Sequence, residues 1–123
     1  MPTLENATRS AACNAIVDLI DVSGPGTLVF ETSGDVEVAT CTFAATAFGA
    51  ASSGVATADT IVDDSSATGG EIAQVSVYDG VPAKIMECTI SADSLSEFEI
   101  SSLTIGVGDT VSCSAMTVTV PAS

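Results

Sequence analysis

The stretch Glu71-Ile72-Ala73-Gln74-Val75-Ser76-Val77-Tyr78-Asp79-Gly80-Val81-Pro82-Ala83-Lys84-Ile85-Met86-Glu87-Cys88-Thr89-Ile90 decides the fold class. From Glu71 to Tyr78, Ala73, Val75 and Val77 alternate with Ile72, Gln74 and Ser76, the period-two pattern of a strand with one apolar face. Asp79-Gly80 is a tight-turn pair. Beyond it, Ala83 to Ile90 resumes the alternation with Met86, Cys88 and Ile90 on one side. A β-hairpin is therefore expected, its apolar side turned to a core.

The same texture extends in both directions. Thr27 to Thr32 is a short strand with Leu28 and Phe30 on one side, and Ser33-Gly34-Asp35 turns it into Val36 to Phe43, where Ala39, Cys41 and Phe43 share a face. Ala44 to Gly54 is rich in small residues and reads as loop, Val55 to Val62 as strand. Asp63 to Gly70 reads as a polar, mobile loop. Phe98, Ile100, Leu103 and Ile105 mark a further strand region. Gly106-Val107-Gly108-Asp109 then turns into Thr110 to Val120. There the apolar phase moves from Val111, Cys113 and Ala115 to Met116, Val118 and Val120, which signals a bulge or a strand serving two layers. Short strands at regular spacing point to a mainly β fold, an antiparallel β-sandwich or jelly-roll-like barrel.

One helix precedes the strands. Over about residues 4–20, Leu4, Ala7, Ala11, Ala12, Ala15, Ile16, Leu19 and Ile20 recur at three- and four-residue spacing, predicting a stripe that packs on the sheet. Thr3 or Asn6 would cap it, with Glu5 near its positive end. Ser23-Gly24-Pro25-Gly26 stops it. At 123 residues the chain has the length of one domain, residues 1–123, with its β region over about 27–120.

Charge narrows the function. Sixteen carboxylates face two bases, Arg9 and Lys84, a net charge of -14. Nucleic acid needs clustered Lys and Arg, so it is not expected as a partner, and an anionic membrane is disfavoured for the same reason. Such acidity keeps a crowded surface protein soluble, and it is also the composition of proteins adapted to high salt. No apolar run approaches the about 20 residues of a membrane span. The first residues lack a basic segment followed by an apolar one, so synthesis in a cytoplasm is expected.

The chain has no histidine. Ser-His-Asp and Cys-His machinery is thereby ruled out, and neither Gly69-Gly70 nor Gly106-x-Gly108 has the lysine of a phosphate loop. No Trp offers a sugar platform for a carboxylate pair. The chain is read as a non-enzyme with no cofactor. Asp59, Asp63 and Asp64 could attract a hard cation, but they lack alternate oxygen ligands closed by a Glu, and a solvated loop is the simpler reading. Cys13, Cys41, Cys88 and Cys113 show no metal spacing. Free thiols are expected, with a disulfide among the last three as the alternative.

The core material is mostly Ala, Val and Ile with few aromatics, which suggests that burial against copies of the chain or a partner supplements it. The uncharged stretch Phe43 to Ala51 is the candidate, buried within the subunit or against a neighbour. The expected contact residues are Phe43, Ala47, Phe48, Ala50, Ala51 and Val55. Carboxylates are expected on the outward surface, around Asp63-Asp64 and the strand faces of Glu97 and Glu99, and the contact face could pair by strand addition.

Residues 47–61, Ala-Phe-Gly-Ala-Ala-Ser-Ser-Gly-Val-Ala-Thr-Ala-Asp-Thr-Ile, resemble a segment of the form AFG-A-A-x-x-G-V-A-T-A-x-x-I. That segment marks a family of small virion structural proteins of tailed phages and prophages. Leu4, Ala7, Arg9, Ala11, Ala12 and Ala15 to Leu19 agree with it, as do Gly24, Gly26, Thr27 and Leu28. So do Ile105, Gly108, Val111 and Ser112, with Met116 to Pro121 as the last strand. The aromatic and arginine that members carry opposite Ala73 to Val77 are missing. The resemblance implies a virion protein, and the reading it favours is a head decoration (cement) protein. Such a protein would bind the major capsid protein and itself, as a homo-oligomer such as a trimer, on the capsid surface. A tail-tube, connector or fibre-associated part is the nearest rival. A calcium- or carbohydrate-binding β-module is the rival from another class.

Overall fold

The computed structural model describes residues 2–88, 90–91, 98–99, 103–113 and 116–121. The chain is mainly β with one N-terminal helix. Helix α1 (Asn6–Asp18) runs into a single 3-10 turn (Leu19–Asp21). Strands β1 (Thr27–Glu31), β2 (Glu37–Thr42), β3 (Val55–Thr57), β4 (Gly70–Glu71), β5 (Gln74–Tyr78) and β6 (Lys84–Cys88) follow. The last four are β7 (Ile90–Ser91), β8 (Phe98–Glu99), β9 (Thr104–Ile105) and β10 (Thr117–Thr119).

The largest sheet has the order β2-β1-β5-β6, antiparallel throughout. Its register explains why these residues form strands. Leu28 lies between Cys41 and Val77 with Met86 beyond, and Phe30 lies between Ala39 and Val75 with Cys88 beyond. Two rows of apolar side chains thus stack across four strands on one face. Leu28, Ala39, Cys41, Val75 and Val77 are fully buried there. Each large side chain buried in this way stabilises the fold by about 1.5–3 kcal/mol. Covering that face are Cys13, Val17 and Ile20 from the helical segment, Phe43, Ala47, Phe48 and Ala56, and Val111 and Met116. Among the described residues there are three further small ladders: β3 with β10 and β4 with β9 antiparallel, β7 with β8 parallel.

The expected hairpin forms between β5 and β6, with a register shift between Val77 and Tyr78 and a wider turn, while Glu71 and Ile90 join other ladders. Pro82 follows a cis peptide bond, and the side chain of the buried Asp79 closes the loop by accepting from the amides of Val81 (2.9 Å) and Ala83 (2.6 Å). At its start the expected phase reverses: Ile72 is buried and Ala73 exposed. Glu71 pairs with Thr104 in a separate ladder and the Ile72 amide donates to the Leu103 carbonyl, so the chain enters β5 only at Gln74.

The helix packs on the protein through part of the expected stripe. Ile20 is buried and Ala12 and Ile16 are half-buried, joined by the buried Cys13 and Val17, whereas Leu4, Ala7, Ala11, Ala15 and Leu19 face outward. Glu5 occupies the N-cap position without a side-chain cap. The Asn6 side chain instead accepts from Arg9 Nη1 at 3.1 Å. The loop expected to be mobile is fastened along its length. Asp64 and Val111 exchange both backbone bonds, the Ala67 amide donates to Asp109, and the Gly69 amide donates to Val38. The expected strand contributions of Ile100 and Ala115 lie outside the described residues, as do the side chains of Glu97, Phe98 and Glu99.

Candidate contact surfaces

Three of the six expected contact residues belong to the core. Phe43, Ala47 and Phe48 are buried within the subunit, with the two phenyl rings tilted against each other at 5.7 Å between centroids. Ala51 and Val55 are half-buried and only Ala50 is exposed. Polar side chains from the helical segment explain this. Asp21 Oδ1 accepts from the Ala47 amide (2.9 Å), Asn14 Oδ1 from the Ala51 amide (2.8 Å) and Ser10 Oγ from the Gly54 amide (3.1 Å). A charge-free, small-residue segment is what such close docking of backbone onto a helix requires. Phe43, Ala47 and Phe48 thus serve internal packing rather than partner contact, the first of the two alternatives expected for this stretch. The missing charge does not choose between them, because a buried loop and an interface share it.

A surface that exposes apolar groups lies on the other side of the helix. Leu4, Ala7, Ala11, Ala15 and Leu19 recur at three- and four-residue intervals and all are exposed, Leu19 by 50%. No carboxylate occurs between Asn6 and Val17, in a chain with sixteen of them. Beyond the 3-10 turn, Val22 is exposed, and its carbonyl accepts from the amide of Gly80 in the β5–β6 turn. That bond brings exposed Val81 and Pro82 to the same end of the molecule.

The opposite face of the large sheet is polar and carries one buried charge. Glu31, 3% exposed, accepts from Ser76 Oγ at 2.5 Å, Tyr78 OH at 2.6 Å and Gln74 Nε2 at 3.1 Å. Lys84 Nζ lies 3.8 Å from both Glu31 and Asp35, 3.0 Å from Glu87 and 5.8 Å from the Tyr78 ring centre. Burial by itself would raise the Glu31 pKa. The donated hydrogen bonds, helped by the Lys84 charge, outweigh it and hold the carboxyl below its ordinary value. Tyr78 is pushed up, first because its hydroxyl donates to that carboxylate. The Lys84 pKa is raised as well, chiefly by Glu87. This network was missed in the sequence. Its only signal is that Glu31, Gln74, Ser76 and Tyr78 share the outward parity of two strands whose pairing has to be known first.

Asp59, Asp63 and Asp64 do not act as a group. Asp64 accepts from the amides of Thr40 and Ser66, and Asp59 from that of Thr60. No three metal-ligating side chains converge among the described residues. No disulfide joins Cys13, Cys41, Cys88 or Cys113, and burial pushes the Cys41 pKa up to about 11.

Sheet edges offer little room for strand addition. Along β2, Thr42 exchanges bonds with Val62, and the Thr40 amide donates to Asp64. Along β10, the carbonyls of Val118 and Val120 accept from Cys13 Sγ (3.3 Å) and Arg9 Nε (2.8 Å) of the helix. On β6 the pairing with β5 slips between Val77 and Tyr78, and Lys84 and Glu87 stand on that edge strand. A bulge and charges on an edge strand are the usual devices against edge pairing.

No protein-family model, curated protein or solved structure matches this chain.

Proposed function

We propose that this chain is a virion part of a tailed phage, a head decoration protein that binds the outside of the capsid and acts by protein–protein contact. The resemblance of residues 47–61 supports the virion setting. The observation that carries the mode of action is the helical run from Asn6 to Val17, which holds no carboxylate in a chain of net charge -14 and exposes Ala7, Ala11 and Ala15, with Asp18 at the end of the same face. Like charges on two packed surfaces repel at short range, and salt screens that repulsion beyond about 8 Å at physiological strength. Contact through this carboxylate-poor face leaves most of the carboxylates toward water. Burial of that face does not depend on salt bridges, so attachment survives high salt.

The test uses purified particles. The protein should be present at a copy number near that of the major capsid protein, and should stay bound when particles are washed across a rising salt series. Ala11→Glu and Ala15→Glu should each empty the particles of the protein while leaving its thermal unfolding unchanged. Val107→Glu, on an exposed turn beside Gly69, should not. A few copies per particle would assign the chain to the tail or connector. Its absence from particles would remove the virion reading. Release by salt, or full occupancy with the helix variants, would show that another face makes the contact.

A further inference from the structure

We draw no further inference here: the strongest candidate, the cluster of Glu31, Asp35 and Glu87 around Lys84 on the outer face of the large sheet, is an acidic cluster that already holds the chain's own cation and whose buried Glu31 oxygens take their hydrogen bonds from Gln74, Ser76 and Tyr78, so nothing in it points to a ligand.

Discussion

Glu31 is the residue at which β1 and β2 lose step: it pairs with Glu37 while Phe30 pairs with Ala39, leaving Val38 unmatched. Three donors and an ammonium meet its carboxylate there. Glu31→Gln would present an amide group to hydroxyls that now donate, and should cost about 1–3 kcal/mol in chemical denaturation. The pH dependence has a definite sign. The folded-state pKa is lowered, so the stability that Glu31 contributes is present above its unfolded value, about 4.3, and is lost as pH falls through the folded one. The variant should lack that acid-side loss, and an acid limb identical to wild type would refute the assignment. Tyr78 gives an independent readout because it is the only tyrosine in a chain without tryptophan. Its phenolate absorbance should develop above the ordinary tyrosine range in the wild type and move down in Glu31→Gln. The thiols separate by burial. Alkylation of the native protein should spare Cys13 and Cys41, and alkylation after denaturation without reductant should mark all four cysteines. A mass short of four additions would reveal a disulfide.

At the scale of elements, the junction between helix and sheet rests on Gly26. A methyl group there would meet the side chain of Ile20 and stand 2.5 Å from the Tyr78 carbonyl and 2.7 Å from that of Ile20. Backbone atoms of two elements cannot yield easily, so Gly26→Ala should lower stability by about 1–3 kcal/mol, the cost of overpacking. A thermal midpoint unchanged from wild type would mean that the junction has slack. The hairpin, the two apolar rows and the turn at Ser33-Gly34-Asp35 were legible in the sequence, because alternation specifies a face and a one-residue slip would expose it. The helix was legible as a helix and its face in part: Ile20 is buried as expected, while the inward side is centred on Cys13 and Val17. Its alanines pattern better than Cys13 and Val17, yet a small side chain gains little from burial, and the larger pair went inward. Ile72 was misread because alternation runs without a break across a place where the chain leaves one ladder for another. Glu31 could not be found by any local pattern, since its partners lie 43 to 47 residues away.

Across the whole molecule the dominant fact is charge. Sixteen carboxylates on a chain of this size repel one another in the compact state, and few ion pairs offset them. The thermal midpoint should rise with added sodium chloride as screening shortens the reach of that repulsion. A fall would show that the contacts around Lys84 outweigh the general repulsion. The clasp between the helix and β10 has a consequence in time. Arg9 reaches the carbonyl of Val120 across 111 positions of sequence, and Cys13 reaches Val118 across 105. The helix thus waits for a segment more than a hundred positions later to emerge before its contacts are complete. Contacts of such long separation are the slow ones to form. Until they do, the nascent chain shows its surroundings Cys13, Val17 and Ile20 as well as the face that stays exposed afterwards. Over that interval the helix shows apolar groups on both sides.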